Sequence, residues 1–416
     1  MLATAIPFSP EHDHAVFARI PASAGVFLLR GHEAQAEPYI SKAANLRRRI
    51  QRLLAPPESQ SKRLNLRERC AQIEFTPNGS DFENLLLLYR LLREQFPESY
   101  TKRLRLNLSP VVRVHWENAY PRAYITRKLG ALGKKSTYFG PFPSRAAADK
   151  FLNDALDLFK SRRCTFELDP DPAFPGCVYS EMKMCLAPCF KGCTDAEYIA
   201  EMRRAEQFLE TQGGSLLGEL EAQREQASAA MEFEAAAALH TKVEKVKGIV
   251  RGCDEIFTRL DRLDALIVQP SLTPDAVALF RFTQGRLLGP TDFSTLGMLP
   301  ARANAESGDS SLFGQPIVAQ PASEDTVDQA AYKPALRLEQ ALADLTPAGK
   351  IPATGFAENL ALLKRWYYRS HRIGEIFFPN EDGSWPARKI INGIGRVFGK
   401  HLLEAGPQAV SKTKIP

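Results

Sequence analysis

A cluster of cysteines between residues 164 and 193 most constrains how this chain can fold. Five of the seven cysteines fall within these thirty residues with the spacing C-x12-C-x7-C-x3-C-x3-C, and they are Cys164, Cys177, Cys185, Cys189 and Cys193. No basic segment followed by an apolar core opens the chain, so we expect no secretory signal and a cytoplasmic, reducing compartment. In that compartment clustered thiols favour metal binding over disulfides.

The spacing alone does not select one metal. Zinc modules usually carry paired cysteine knuckles at both ends, whereas here only the last cysteines lie close together. Thiolates also hold iron–sulfur clusters with varied spacings, and cysteines buried as small apolar side chains are a third alternative. Arg162, Arg163 and Lys183 lie near the cysteines and would offset the negative charge of a thiolate site.

Length and composition indicate a multidomain chain of the α+β class. Its 416 residues suffice for two to four domains, and 44% hydrophobic with 25% charged residues is ordinary for a globular protein. No window of eighteen apolar residues occurs, so we expect no membrane span. The net charge of +6 permits a nucleic-acid partner, and residues 42–67 hold eight basic residues and one acid.

The first hundred residues predict a small α/β domain. Residues 25–29 and 39–40 indicate two paired strands, and residues 73–75 a third. A basic helix is expected over residues 43–54, and a second helix over 82–95 with Asp81 as its cap.

The run Tyr39-Ile40-Ser41-Lys42-Ala43-Ala44-Asn45-Leu46-Arg47-Arg48-Arg49 resembles a motif of the GIY-YIG nuclease domain that opens proteins of the UvrC family. Those proteins are the incision subunits of bacterial nucleotide excision repair. The resemblance implies hydrolysis of a DNA phosphodiester with one Mg²⁺. Tyr39, Lys42 and Arg49 stand at the catalytic positions that remain.

Other positions of the nuclease motif have changed. The metal-binding glutamate falls on Leu88, and other functional side chains of the family fall on Phe27, Ser41, Leu53 and Tyr100. Glu83 and Glu94 lie at helical offsets that turn them away from the face of Leu88. We therefore expect a catalytically silent domain that would need Mg²⁺ only if it were active.

The basic helix of this domain has two interpretations. Its arginines are expected either to hold a DNA backbone or to form a solvated helix face, and they are Arg47, Arg48, Arg49 and Arg52.

The cysteine region carries the same family resemblance. Tyr138-Phe139-Gly140-Pro141-Phe142 and Cys185-Leu186-Ala187-Pro188-Cys189 are similar to elements that follow the nuclease domain in the UvrC family. The resemblance implies a 4Fe–4S cluster on Cys164, Cys177, Cys185 and Cys189, with zinc as the alternative. Cys193 would then be a fifth thiol that is not a ligand.

A helix capped by Ser144 is expected over residues 146–159, before most of the cysteines. Two further helical segments, 215–230 and 233–250, follow the cysteines. In the second, Ala236, Leu239, Val243, Val246 and Val250 recur at the spacing of a coiled-coil seam. The run Glu232-Phe233-Glu234-Ala235-Ala236-Ala237-Ala238-Leu239 resembles the UVR motif by which UvrC meets UvrB.

That resemblance implies UvrB binding through Phe233, Glu234, Ala237 and Leu239. The family tends to have Arg-Asp where this chain has His240-Thr241. A helix pair that only closes its own core is the alternative.

The last third predicts strands at 265–268, 277–282 and 286–288 and helices at 335–345 and 357–368. A counterpart of the family's RNase H-like nuclease and its helix-hairpin-helix repeats is not found in the sequence. Residues 366–372 mix aromatic rings with positive charge, which suits either DNA contact or a packed helix with basic edges. The tail, 408–416, is expected to be disordered.

These observations predict six regions. They are a GIY-YIG-like α/β domain (13–100), a cysteine-rich α+β domain (101–200), a helical region with the UVR hairpin (201–252), a small β segment (253–300), a flexible linker (301–334) and a C-terminal helical region (335–416).

The hypothesis that follows is a UvrC-like repair protein that binds damaged duplex DNA and UvrB, without contact to a membrane and without its own incision activity. An active endonuclease that makes the 3′ incision is the alternative. A fragment of a repair protein used outside repair is a third, weaker hypothesis.

Overall fold

The structure is a computed structural model that describes residues 2–33, 35–56, 64–130, 132–133, 135–296, 298, 324–347, 349 and 351–405. For residues 324–333 and 402–405 it describes the backbone alone. Within this part of the chain there are three four-stranded antiparallel sheets, each with its own helices.

The N-terminal module is a sheet of order β1-β4-β2-β3 with helices on both faces. Its elements are β1 (Thr4–Pro7), α1 (Asp13–Arg19), β2 (Gly25–Gly31), β3 (Tyr39–Ala43), α2 (Leu46–Leu54), β4 (Cys70–Pro77), α3 (Asp81–Gln95) and α4 (Tyr100–Leu104). The predicted strand pair is confirmed, with Phe27 opposite Ser41. The predicted cap is one residue off, because the hydroxyl of Ser80 accepts a hydrogen bond from the Glu83 amide.

The two faces of this sheet bury different residues because side chains alternate along a strand. Phe27 and Leu29 pack with α1 and α2 on one face. Val26 and Leu28 pack with Leu91 of α3 on the other. This alternation determines which of the candidate catalytic residues can meet.

The middle module is a sheet of order β6-β5-β7-β8 covered by helices. Its elements are β5 (Val111–His115), β6 (Arg122–Thr126), β7 (Ser136–Gly140), α5 (Arg145–Leu156), α6 (Val178–Glu181), α7 (Asp195–Glu210), α8 (Gly214–Ala229), α9 (Phe233–Val250) and β8 (Thr258–Arg259). The predicted cap of α5 is confirmed, since the hydroxyl of Ser144 accepts from the Ala147 amide at 3.1 Å.

The predicted boundaries at 200/201 and 252/253 differ from the structure. Helix α7 crosses the first boundary, and β8 pairs with β7 across the second. One apolar core joins Phe139 of the sheet to Phe208 of α7 and to Val243 and Val246 of α9. The cysteine region and the helical hairpin therefore form one unit, because each supplies part of the core that the other needs.

The C-terminal module is a sheet of order β11-β10-β9-β12 between helices. Its elements are β9 (Ala265–Pro270), β10 (Ala276–Thr283), β11 (Arg286–Ser294), α10 (Glu324–Asp344), α11 (Ala353–Tyr367), β12 (Glu375–Phe377) and α12 (Ala387–Ala405). The three predicted strands and two predicted helices are present. Strand β12 and helix α12 were not predicted.

The separation into a small β segment and a C-terminal helical region is wrong. All six residues of β9 are buried, so both faces of its sheet need a cover. Helices α10 and α12 cover one face, where Leu338 and Ile394 pack on Leu266 and Val268. Helix α11 packs on the opposite face, which carries Phe280.

Part of the predicted linker is also helical. Residues 301–323 lie outside the described residues, but helix α10 already begins at Glu324. The later turns of this helix bury Leu338 and Leu342 against the sheet, so tertiary packing outweighs a composition typical of a linker. The predicted disordered tail, 408–416, lies outside the described residues.

A shared core and a buried carboxylate connect the first and third modules. Helix α3 contributes Phe82, whose ring lies 5.1 Å from those of both Phe280 and Trp366. Tyr89 and Tyr100 each donate a hydrogen bond of 2.6 Å to Glu358 of α11, and Glu358 is 8% exposed. Among the described helices, none is long and apolar enough to cross a membrane.

Candidate functional site

The sheet of the N-terminal module separates the three candidate catalytic residues. Tyr39 packs with the core beneath α1 and α2, and its hydroxyl accepts a hydrogen bond of 3.2 Å from Arg49 of α2. Lys42 stands three residues from Tyr39 on β3, so its side chain leaves the opposite face and meets α3. The structure therefore brings Tyr39 and Arg49 together and leaves Lys42 apart.

Lys42 is neutralised by an aspartate that sequence reasoning assigned only to a helix cap. Its ammonium lies 2.5 Å from a carboxylate oxygen of Asp81, and Arg369, which follows α11, binds the other oxygen. Partial burial opposes ionisation of Asp81, but the two cations outweigh it and lower the pKa of the carboxyl. Lys42 therefore takes part in a contact between modules.

The position where the resemblance places a metal-binding glutamate is occupied by Leu88, which forms part of an apolar contact. Leu88 packs against two clusters of buried side chains, and Ile40 of β3 packs against the same two. Glu83 turns towards the start of the helix, where it accepts a hydrogen bond of 3.2 Å from the Gly79 amide. Burial raises the pKa of Glu83, which disfavours the ionised form that binds Mg²⁺.

The arginines of α2 divide into tethered and exposed side chains. Arg47 donates to the carbonyl oxygens of Ile20 and Ala18, at 2.6 and 3.3 Å. Some of its N–H donors are therefore used in hydrogen bonds within the fold. Arg48 and Arg52 are exposed. Their side chains make no hydrogen bond or ion pair with another described residue.

The cysteines show a different arrangement. Four of them line one small cavity, together with the side chains of Arg162 and Arg163, and they are Cys164, Cys177, Cys185 and Cys189. The loop that carries the last two is fixed from both sides. The Leu186 amide donates a hydrogen bond to the backbone carbonyl of Lys160, and Ala187 adopts a left-handed conformation (φ 57°). The Ala187 amide then donates to the Cys185 sulfur at 3.3 Å.

The cavity combines thiols with a buried cation. Burial raises the pKa of the Cys185 thiol to about 11, and the neighbouring Cys164, Cys189 and Cys177 raise it further. Arg162 is 2% exposed and donates from Nη1 to the Cys164 sulfur at 3.6 Å. Its Nε and Nη2 atoms have no hydrogen-bond partner among the described residues.

Cys193 does not line the cavity of the other four cysteines. It lines an adjoining cleft with Tyr120, Asp195 and Glu197. Burial and these carboxylates raise the pKa of its thiol. The structure thus groups the same four cysteines that the resemblance selected. In the described residues, no three His, Cys, Asp or Glu side chains stand in ready metal-binding geometry.

The helical hairpin exposes apolar side chains at its tip. The predicted seam is confirmed at four of its five positions, since Val243 and Val246 are fully buried, with Leu239 and Val250 packed against the same core. Ala236 does not contribute to this core. At the turn between α8 and α9, Met231 is 76% and Phe233 72% exposed.

The four residues assigned to UvrB binding therefore divide. Phe233, Glu234 and Ala237 are exposed, whereas Leu239 contributes to the hairpin core. Met231 was not assigned a role. Its position in the turn, two residues before Phe233 at the start of α9, is the signal that would have identified it.

The aromatic and basic segment near the end of α11 is largely packed. Trp366 is buried, and its indole nitrogen donates to the carbonyl of Ile373 at 3.1 Å. Arg372 lies over the rings of Trp366 and Tyr367, at 5.3 and 4.7 Å from their centroids. These contacts favour the interpretation as a packed helix with basic edges.

Comparison with known proteins gives matches for the cysteine region and the hairpin. Residues 109–208 match the family described as UvrC/Cho excinuclease, middle domain, and residues 214–249 match the UvrB/uvrC motif. No solved structure matches this chain.

Curated relatives named UvrABC system protein C agree with these matches. The protein of Gloeobacter violaceus is 29% identical over 280 residues, which cover 66% of this chain and 44% of that protein. The protein of Pseudomonas aeruginosa is 32% identical over 272 residues, covering 65% and 43%. The protein of a Ruegeria species is 32% identical over 244 residues, covering 57% and 38%.

The chain carries the middle domain and the UVR motif of the excinuclease subunit that these relatives represent. In these regions it is similar to proteins of the UvrC family. It spans less than half of the length of the relatives it matches.

Proposed function

We propose that this chain is a cytoplasmic UvrC-like protein of nucleotide excision repair that binds damaged duplex DNA and UvrB but does not cut DNA. In this proposal the middle module carries an iron–sulfur cluster and the hairpin docks on UvrB. The N-terminal module contributes a DNA contact without chemistry.

The exposed tip of the hairpin is the observation that carries the partner proposal. Met231 and Phe233 place large apolar side chains in solvent at the tip of the hairpin, although α8 and α9 bury Leu216, Leu220, Val243 and Val246 in a shared core. A helix pair that served only its own core would have no use for them. An exposed aromatic side chain is typical of an anchor that fills a pocket of a partner.

UvrB binding is tested with purified full-length chain and UvrB by calorimetry or surface plasmon resonance. We expect Phe233→Ala to weaken binding at least tenfold, as removal of an interface anchor does. Leu272→Ala is the matched control, because Leu272 is also exposed (48%) but lies between β9 and β10, away from the hairpin. Equal binding by wild type and Phe233→Ala would refute the docking role of the hairpin.

The absence of cutting is supported by the apolar packing of Leu88 and by the pairing of Lys42 with Asp81. Hydrolysis with one Mg²⁺ needs a carboxylate to hold the ion. The assay uses a lesion-bearing duplex with UvrA, UvrB, Mg²⁺ and this chain, and we expect no nick. A Mg²⁺-dependent nick on the 3′ side of the lesion would establish the alternative, an active endonuclease.

The DNA contact rests on the exposed side chains of Arg48 and Arg52. Each phosphate contact that is lost should weaken binding on any sequence and reduce the dependence of log K on log salt by about one. We expect a reduction of about two for the double alanine variant of Arg48 and Arg52. Arg19→Ala, at an exposed position at the end of α1, is the control for loss of a single surface charge outside α2, and an unchanged slope in the double variant contradicts the contact.

The cofactor proposal rests on four cysteines around one cavity that also receives a buried arginine. Thiolates with amide donors to their sulfurs are the usual ligands of 4Fe–4S clusters, which supply one-electron chemistry when bound. Anaerobic purification should yield iron and acid-labile sulfide with broad absorption at about 400 nm. A colourless protein with stoichiometric zinc would support the alternative metal.

A further inference from the structure

Arg162 is the most unusual charged side chain in the middle module. It is 2% exposed, and no carboxylate pairs with it among the described residues. Its Nη1 atom donates to the Cys164 sulfur at 3.6 Å and to the Phe166 carbonyl at 3.2 Å. Burying an unpaired cation is costly, so the neighbourhood of this guanidinium should hold compensating negative charge.

The position of Arg162 is fixed by the fold. Its backbone amide donates to the hydroxyl of Tyr198, at 3.2 Å, and this hydroxyl donates to the Pro121 carbonyl at 2.7 Å. Tyr198 is fully buried on α7. The guanidinium therefore lines the cysteine cavity because the sheet and α7 hold its backbone there.

The neighbouring Arg163 differs from Arg162 because its positive charge is paired with a carboxylate. It also lines the cavity, but its Nη2 atom pairs with Asp157 at 2.5 Å. Arg163 thus brings a charge that a carboxylate already balances. Arg162 has only sulfur and a carbonyl as acceptors, and two of its nitrogens have no acceptor among the described residues.

We propose that Arg162 is a positioning residue that raises the reduction potential of the cluster held by Cys164, Cys177, Cys185 and Cys189. This inference rests on the proposed 4Fe–4S cofactor. Uptake of one electron makes a thiolate-bound cluster more negative, and a fixed cation with hydrogen bonds to its sulfurs stabilises that state. The unpartnered nitrogens are the donors available for such contacts.

The test is a potentiometric titration of the full-length holoprotein, in which dithionite supplies the single electron and the spectrum reports its uptake. For Arg162→Gln we expect an equilibrium constant for reduction at least tenfold lower, which is a midpoint potential about 59 mV more negative. Arg163→Gln is the matched control, with less than a threefold change. Iron and sulfide contents are measured on every sample.

A second variant covers the case in which Arg162→Gln does not fold. Arg162→Met removes the charge without leaving a buried polar group unpaired, so we expect a shift of similar size in the same direction. A wild-type potential in iron-loaded Arg162→Gln, or in Arg162→Met when the Gln variant is unfolded, would overturn the role of Arg162 alone. A wild-type protein that contains zinc would overturn the cofactor proposal and this inference together.

Discussion

In the N-terminal module, the polar side chains at the candidate catalytic positions have hydrogen-bond or ion-pair partners within the fold. In the middle module, the buried guanidinium of Arg162 at the cysteine cavity is only partly paired. Lys42 pairs with Asp81, Arg49 with the hydroxyl of Tyr39, and Leu88 packs in an apolar contact. Arg162, although buried, keeps two nitrogens without an acceptor. A site that has lost its ligand can recruit its polar groups for the fold, while a site built for a ligand leaves some of them unsatisfied.

The comparison also separates two kinds of surface. On the N-terminal module, the contact of Asp81 with Arg369 and the bonds from Tyr89 and Tyr100 to Glu358 attach the C-terminal module. Tyr100 stands at a position where the family resemblance places a functional side chain, and in the structure its hydroxyl serves this intramolecular interface.

The largest effect is expected at the cysteine cavity. Cys185→Ser should remove nearly all bound metal, because Cys185 lines the cavity and its sulfur accepts a hydrogen bond from Ala187. Cys193→Ser is the matched control and should leave the metal content unchanged, since Cys193 lines a separate cleft. Metal analysis of the two purified variants gives the answer. Loss of metal in Cys193→Ser, or its retention in Cys185→Ser, would break the assignment of ligands.

The second effect concerns the buried carboxylate between modules. Glu358→Ala leaves the hydroxyls of Tyr89 and Tyr100 without their acceptor, and we expect the free energy of unfolding to fall by about 3 kcal/mol. Glu358→Gln keeps one acceptor oxygen and should lose about 1 kcal/mol. Urea unfolding with an unchanged slope measures both. If Glu358→Ala unfolds like wild type, this junction contributes nothing to stability.

The resemblance to the nuclease domain expects a carboxylate at position 88, and a substitution can introduce one there. Leu88→Glu should lower the free energy of unfolding by about 2 kcal/mol relative to Leu88→Gln, which has the same shape without the charge. The reason is that Leu88 packs against two apolar clusters, so the new carboxylate loses hydration. The measurement is urea unfolding of both variants. Equal stability of the two, with a Mg²⁺-dependent nick by Leu88→Glu, would mean that the nuclease face is still intact.

Local patterns in the sequence predicted the elements that local interactions determine. Pairing of β2 with β3, the Ser144 cap and the buried seam of α9 around Val243 all follow from residues close in sequence. The grouping of four cysteines with exclusion of Cys193 came from the family resemblance, and the cavity agrees with it.

Contacts between distant residues could not be predicted in this way. Asp81 and Arg369 are 288 residues apart, and Tyr89 and Glu358 are 269 apart. Their pairing depends on how the modules pack. Strand β12 has three residues, too few for a periodic signal, and it forms because β9 offers it a free edge. The apolar run at residues 265–268 of β9 was the available sign that helices on both faces were needed.

The smallest effect tests whether Asp81 still balances Lys42 and Arg369 in solution. Its pKa is lowered from 3.8 in the folded chain because the two cations outweigh the effect of its burial. A lowered folded pKa means that the stabilisation is complete above the unfolded value and disappears as pH falls through the folded value. The Asp81 side chain is 40% exposed, so solvent screening should keep the contribution below about 1 kcal/mol.

Asp81→Asn should therefore lower the free energy of unfolding slightly at pH 7, and the difference from wild type should shrink below about pH 4. Asp154→Asn is the control, because it breaks an exposed pair with Lys150 inside one helix and should change little at either pH. Urea unfolding at several pH values gives both differences. A difference that stays constant from pH 7 to pH 3 would mean that Asp81 acts by shape and not by charge. The charges of Lys42 and Arg369 would then not be balanced by Asp81, and the contrast between the N-terminal module and Arg162 would be weaker.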